Sequence, residues 1–225
     1  MKAIILAAGM GTRLGSVLPK PLTEISNGKS IFDFQVEKIS KIIGEDNIVI
    51  VVGYKKEIIM EKYPNLLYAY NSAFTQTNTA KSLLTAVRKL DDDVVWLNGD
   101  VYFDEEVLKL LISQKNSACL VNKSKCAEEE IKYTVDEDGN IKELSKTVKN
   151  ALGEAVGINL IKKEDVANFK EALEEVLDKD YFEKALENLT LAGKLKLLPI
   201  DLGNAYCKEI DFPEDLAEVR EHLKK

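Results

Sequence analysis

The stretch Ala3-Ile-Ile-Leu-Ala-Ala-Gly-Met-Gly-Thr-Arg-Leu-Gly15, followed at short range by Leu18-Pro-Lys-Pro-Leu22, decides how this chain folds. A short apolar run breaks off into small residues, and a glycine-rich loop then carries one arginine and one lysine. Lys2–Leu6 reads as a buried strand, because the run is short, apolar and bounded by glycine. After Leu6, the residues Ala7, Ala8, Gly9 and Gly11 have little or no side chain, so backbone N–H groups there can reach a base or a phosphate. Arg13 adds a planar cationic fork and Lys20 a compact point charge, the combination needed to hold a polyphosphate. A P-loop requires Gly-x-x-x-x-Gly-Lys-Ser/Thr, which does not follow Leu6. A dinucleotide fingerprint, Gly-x-Gly-x-x-Gly, fits Gly9 and Gly11 but meets Leu14 at its third glycine, with Gly15 one residue late. A lone glycine pair is equally a plain strand-to-helix turn. The added Arg13 and Pro19-Lys20-Pro21 favour the phosphate reading.

With 225 residues, 45% hydrophobic and 31% charged, the chain is expected to form an ordinary globular protein with one sizeable core. A net charge of −7 argues against general affinity for nucleic acid or anionic membranes, although a basic pocket can coexist with an acidic exterior. Neither a transmembrane run nor a signal peptide is apparent, and a cytoplasmic location is expected. Cys119, Cys126 and Cys207 are odd in number and lack metal-ligand spacing, which suggests reduced thiols. The single histidine, His222, reads as a surface residue of a charged C-terminal helix, a poor basis for a zinc hydrolase or a Ser/His triad.

Strand and helix patterns alternate through the first half: strands at 2–6, 47–52, 66–70, 93–97 and 118–121, and helices at 31–43, 55–62, 78–90 and 105–114. That order implies right-handed crossovers and a parallel sheet covered on both faces. In the second half, 131–135 and 141–144 flank Asp136-Glu-Asp-Gly139, a hairpin signal. A buried strand at 155–161, helices at 164–177 and 181–189, a strand near 196–200 and a helix from Pro213 to Leu223 complete the chain. One α/β domain with a mixed sheet is expected, with ligands at the carboxyl ends of the strands, where the loops 7–20, 71–78 and 98–102 would meet.

Leu6-Ala-Ala-Gly-Met-Gly-Thr-Arg-Leu14 with the downstream Pro19-Lys20-Pro21 resembles the signature of the sugar-phosphate nucleotidyltransferase superfamily. The resemblance covers essentially the whole chain. It implies a three-layer α/β/α Rossmann-like nucleotidyltransferase fold with a mixed, mostly parallel central sheet. Residues 1–121 would then form a nucleotide-binding half and 122–225 an acceptor-binding half. It further implies that Leu6, Ala7, Ala8, Gly9, Gly11, Thr12 and Gly99 surround a nucleoside triphosphate, and that Arg13 and Lys20 act on its phosphates as the catalytic cations. Asn71-Ser-Ala-Phe-Thr-Gln-Thr-Asn-Thr-Ala-Lys-Ser-Leu83 is similar to the base-reading stretch of bacterial phosphocholine cytidylyltransferases, except that Thr79 stands in place of a second asparagine. Asn78 and Ser82, with Thr77 and Thr79 behind them, are the candidates for pairing with cytosine. Each of them is individually as well explained by an ordinary helix start.

Two aspartates carry the metal expectation. Asp100, in Asn98-Gly-Asp100, reads alone as a turn residue, and Asp211, with Glu214 three residues on, as a helix N-cap. The resemblance selects both as Mg²⁺ ligands, since that ion takes one or two carboxylates while bridging phosphates. Asp104 and Asp215 read as helix-start residues. Glu154, in Gly153-Glu-Ala-Val-Gly157, matches a position that faces the second substrate, and reads equally as a strand-edge charge. Tyr102, Tyr181, Phe182 and Tyr206 could cage a quaternary ammonium or simply pack; Trp96 reads as core. The activity so implied is Mg²⁺-dependent transfer of CMP from CTP to a small phosphorylated alcohol such as phosphocholine. Inositol phosphate, phosphoethanolamine, aminoethylphosphonate and sugar 1-phosphates with UTP or TTP stay open as alternatives. CTP and the acceptor are the expected partners, with no nucleic acid and no membrane insertion, and a homodimer is left open.

Overall fold

Alternation along the first strand sets both faces of the sheet. β1 (Lys2–Ala7) turns Ala3, Ile5 and Ala7 into one buried cluster, and Ile4, Leu6 and the following Ala8 into another. The structure, a computed structural model, describes residues 1–11, 18–123, 126 and 130–224. The chain continues through β2 (Glu24–Ser26), β3 (Lys29–Ser30), α1 (Ile31–Ile43), β4 (Ile48–Val52), α2 (Lys56–Lys62), β5 (Leu67–Tyr70), α3 (Thr79–Val87) and β6 (Val94–Asn98). Then come β7 (Val101–Phe103), α4 (Glu105–Ile112), β8 (Ala118–Asn122), β9 (Lys132–Val135), β10 (Ile141–Ser145) and β11 (Gly153–Ile161). The last elements are α5 (Val166–Glu175), α6 (Phe182–Leu191), β12 (Leu198–Asp201), β13 (Cys207–Glu209) and α7 (Pro213–His222).

β6, β1, β4 and β5 lie side by side and parallel, with Leu6 opposite Asn98 on one side and Val51 on the other. β11 is inserted antiparallel between β6 and β8, and β12 pairs parallel with β8. The β9–β10 hairpin joins the start of β11, at Gly153 and Glu154. The result is a mixed, mostly parallel nine-stranded sheet. Phe32 and Ile39 of α1, Ile59 of α2 and Leu111 of α4 cover one face; Leu83 of α3, Phe169 of α5 and Leu186 of α6 cover the other. These are the three layers that the sequence implies. Trp96 is fully buried between Phe169 and Phe182, as core.

Most elements fall where periodicity places them, α1 to the residue. The expected helix 164–177 is divided into a single 3₁₀ turn at Lys163–Asp165 and α5. The β2–β3 hairpin and β7 have no sequence signal long enough to show a period. No helix among the described residues is long and apolar enough to cross a membrane.

The start of α1 is fixed by a reciprocal cap. The Ser30 hydroxyl accepts the Asp33 N–H, and the Asp33 carboxylate accepts the Ser30 N–H at 2.7 Å. Lys62 at 2.7 Å and the Tyr63 hydroxyl at 2.6 Å also donate to Asp33. Burial opposes its charge, but these donors outweigh it and hold the carboxyl at about 2, against 3.8 ordinarily. Asp33→Ala should therefore cost about 1–2 kcal/mol at pH 7, as lost caps do. Because the folded pKa is depressed, that difference from wild type is full above about pH 4 and fades as pH falls toward 2. Urea unfolding at pH 7 and pH 2.5 reads it, and an unchanged difference would remove the carboxylate's charge from the account.

Candidate functional site

The carboxyl ends of β1 and β6 open into a cavity of about 730 Å³. Leu6, Ala7, Ala8, Gly9, Gly11 and Lys20 line it from the first loop, and Phe74, Thr77, Asn78, Thr79 and Ser82 from the loop and helix start after β5. The turn Asn98-Gly99-Asp100 forms its floor, with the Gly99 N–H donating to the Leu6 carbonyl at 2.9 Å. A Cβ on Gly99 would come within 2.7 Å of that oxygen, so this approach requires glycine. Gly11 has φ +58° and passes so close to Lys20 that an added Cβ would lie 2.4 Å from the lysine's own Cβ. Gly11 and Lys20 are therefore packed directly against each other. Thr12 and Arg13 lie outside the described residues.

Lys20 is 8% exposed and carries the charge at the centre of this end of the sheet. Its ammonium donates to Asp100 Oδ2 at 2.7 Å and Asp211 Oδ1 at 2.5 Å. Burial disfavours the charged lysine, but the Asp100 and Asp211 carboxylates more than offset it and raise the pKa above its ordinary value. β7 and β13 bring the two aspartates together. These strands pair antiparallel with Val101 opposite Glu209, and the Ile210 N–H donates to the Asp100 carbonyl at 2.9 Å. From α1, the buried Gln35 amide donates to the carbonyls of Asn98 at 2.9 Å and Val101 at 2.7 Å, pinning both sides of the Asp100 turn.

Glu209 is the third acid of the group, and the sequence reading missed it. Its spacing of two from Asp211 was the available signal, since residues i and i+2 of an extended segment share a side. One carboxylate oxygen each from Asp100, Glu209 and Asp211 lies within 4.8 Å of the others. Burial, then the Asp100 and Asp211 charges, push the Glu209 carboxyl well above the usual range. Asp100 Oδ1 is buried without a hydrogen-bond partner. Hard oxygen donors in this number, one of them unsatisfied, suit Mg²⁺. Asp211 is not the cap of α7: Asp215 Oδ2 accepts the N–H groups of Asp211 at 3.0 Å and Phe212 at 2.8 Å, so the capping acid is Asp215 rather than Glu214.

The base-side candidates are held by a residue to which the sequence reading gave no role. The Asn71 amide donates to Thr77 Oγ1 and Ser82 Oγ, both at 3.0 Å, and its oxygen accepts the Ala73 N–H. Asn78 does cap α3: its oxygen accepts the Thr79 N–H, and its amide donates to the Lys179 carbonyl at 3.2 Å. One N–H and one lone pair of Asn78 are left over for a ligand.

The acceptor-side expectations divide. Tyr181 lines the cavity, together with Phe182, Glu130, Lys146 and Glu183, of which only Phe182 was weighed from the sequence. Tyr102 and Tyr206 do not line it. They pack behind the β7–β13 ribbon, where Tyr206 stacks on His222 at 3.8 Å and the Tyr102 hydroxyl donates to Asp104 at 3.2 Å. His222 is correspondingly half-buried, 2.9 Å from Asp104, rather than a free surface residue. Glu154 sits at the β9–β11 pairing, while Ala155 and Gly157 of the same strand reach the cavity. Missing sequence signal explains the errors: β7 is too short to show which way Tyr102 points, and nothing local shows that α7 covers Tyr206.

The family model for the MobA-like NTP transferase domain matches residues 3–181. The CTP:phosphoglutamine cytidylyltransferase of Campylobacter jejuni is 31% identical over 94% of this chain and 93% of its own length. The bifunctional protein GlmU of Methanocaldococcus jannaschii is 27% identical over 99% of this chain but 54% of its own length, so the chain spans about half of that relative. Among solved structures, CTP:phosphocholine cytidylyltransferase from Streptococcus pneumoniae has a TM-score of 0.76 at 21% identity, covering 99% of this chain and 98% of that one. The inositol-1-phosphate CTP transferase from T. maritima has a TM-score of 0.79 at 21% identity, over 100% and 96%. At such identities these two structures establish the fold.

If the three acids form one cation site, Asp100→Asn and Glu209→Gln should each weaken Mn²⁺ binding by about tenfold or more, the scale of losing one charged ligand. Mn²⁺ paramagnetic resonance with the protein alone checks this. Undiminished affinity in either variant removes that residue from the set.

Proposed function

This chain belongs to the MobA-like NTP transferase domain family, and on that premise we propose that it is a Mg²⁺-dependent cytidylyltransferase joining CTP to a small phosphorylated alcohol. The observation that carries the reading is the buried Lys20 ammonium beside three clustered carboxylates, at the mouth of the small-residue loop. An oxygen of the acceptor phosphate would form a bond to the α-phosphorus of CTP. The bond from that phosphorus to the bridging oxygen would break, and its electron pair would leave on pyrophosphate. A phosphate monoester has its second pKa near 6, so the attacking oxygen is already ionised at pH 7 and no side chain need remove a proton.

What the chain supplies is position and charge. Gly9 and Gly11 give the triphosphate a backbone approach, and Arg13 is assigned to the leaving phosphates. Lys20 is assigned to the α-phosphate and the incoming phosphate, drawing two anions together. Asp100, Glu209 and Asp211 would hold Mg²⁺, which when bound neutralises charge on the phosphate oxygens. Thr77, Asn78 and Ser82, braced by Asn71, are assigned to cytosine, with Thr79 behind them. Tyr181 is assigned to the acceptor. In this reading residues 1–121 bind the nucleotide and 122–225 the acceptor.

Pyrophosphate release from CTP, with Mg²⁺ and a panel of phosphorylated alcohols, amines and sugars, tests the assignment. Release with CTP well above UTP or TTP is expected; a UTP or TTP preference with a sugar 1-phosphate would replace it. Lys20→Ala should lower kcat about 10²–10³-fold, the loss typical of one preorganised charge donor. Its effect on CTP affinity should be smaller, and equal losses in the two would contradict the role.

A further inference from the structure

The acceptor side of the cavity contains an acid that the reaction chemistry leaves without a task. Glu183, the second residue of α6, is 6% exposed, lines the cavity, and leaves Oε2 without a hydrogen-bond partner. Its neighbours on the helix are already paired: Lys184 bonds Glu187 at 2.8 Å, and Glu187 also accepts the Leu144 N–H. The cation acting on Glu183 is Lys146, whose ammonium lies over the Tyr181 ring, 5.2 Å from its centre. Lys146 acts equally on Glu130, another acid of the cavity wall. The other described lysine of the wall, Lys20, is committed to Asp100 and Asp211.

Both acids of the wall are thus acted on by Lys146, Glu130 by Lys208 as well, and the apolar Ile131, Ala155 and Phe182 line the same cavity. A second acceptor atom, Asn98 Oδ1, is also buried in the wall without a partner. Burial, only partly opposed by the residue's own backbone N–H and by Lys146, pushes the Glu183 carboxyl up to about 7, so the empty site holds it poorly as a carboxylate. Such groups are ordinarily satisfied, and one carried by a residue that lines a binding cavity can be completed by what binds there. The missing complement is an N–H donor with positive charge. A quaternary ammonium has the charge and no N–H; an uncharged polyol has donors and no charge.

We propose that Glu183 selects the acceptor by accepting a hydrogen bond from a protonated primary amine at the end remote from its phosphate. This rests on the cytidylyl-transfer reading for the identity of the other substrate. It narrows the acceptor to phosphorylated primary amines over their N-methylated or uncharged counterparts. Glu183 touches the substrate in this account but takes no part in bond making.

The test is titration calorimetry of the whole protein, with Mg²⁺ and a non-transferable CTP analogue, against phosphoethanolamine and phosphocholine. Wild type should bind phosphoethanolamine about tenfold or more tightly over phosphocholine, since a site built around a donor rejects analogues that lack it. Glu183→Leu, which keeps the volume and removes the acceptor, should erase the difference while melting no lower than wild type, because a poorly satisfied buried acid is replaced by an apolar side chain. Glu183→Gln, which keeps an acceptor oxygen, should retain part of it. Equal affinities in wild type, a difference that survives Glu183→Leu, or no binding of phosphoethanolamine at millimolar concentration would overturn the inference. Pyrophosphate release by the same proteins, with CTP in place of the analogue, separates the two claims. The expected binding difference without release from CTP sinks cytidylyl transfer and leaves the amine site standing.

Discussion

The ammonium of Lys20, buried and shared by Asp100 and Asp211, joins the charges of three separate pieces of chain at one point. One comes from the loop after the first strand, one from the turn after β6, and one from the last turn before α7. Each charge alone would be costly at this depth. Together the aspartates keep the lysine ionised despite its burial, and the lysine keeps two carboxylates closer than they would otherwise sit. Removing one partner from such a cluster leaves a buried charge uncompensated, which is why the end of the sheet depends on it.

In the proposed reading the same cluster puts a cation site and a phosphate site in one place. Three acids and one lysine leave an excess of negative charge for a divalent ion, and the small-residue loop beside them offers backbone N–H groups to anions. Neither half is selective alone. In that reading their adjacency would admit a ligand that is itself a metal–polyphosphate complex and set the transferred phosphorus between fixed charges. Gln35 contributes from behind, because its amide spans the carbonyls on either side of the Asp100 turn and fixes the direction in which that carboxylate points.

Much of the scaffold was legible because its signals are local. The apolar run 2–7, the period of α1 and the Gly139 hairpin are each complete within a dozen residues, and all three appear as read. Lys20, Asp100 and Asp211 were legible as chemistry, through motif and resemblance, and the structure brings them into contact. What failed to show was orientation on short elements. β7 is three residues long, so no pattern told whether Tyr102 or its neighbours faced the cavity, and its pairing with β13 joins positions more than a hundred residues apart. Glu209 was hidden for the same reason: only that pairing reveals it as part of the acidic group. Asn71, Lys146 and Glu183 carry no motif, and their importance lies in what surrounds them.

Glu183 and Lys20 illustrate two opposite solutions to a buried charge. Lys20 is matched inside the protein by two carboxylates, so its ionised state is settled before anything binds. Glu183 has no comparable match, and burial leaves its carboxyl near neutrality. The first arrangement suits a group that must present constant charge to any phosphate that arrives. The second suits discrimination, because an unmatched acid gains most from the ligand that completes it and little from one that does not. On the proposed function the contrast divides the cavity by physics: a preset end assigned to the phosphates, and an unfinished end whose complement the acceptor would bring.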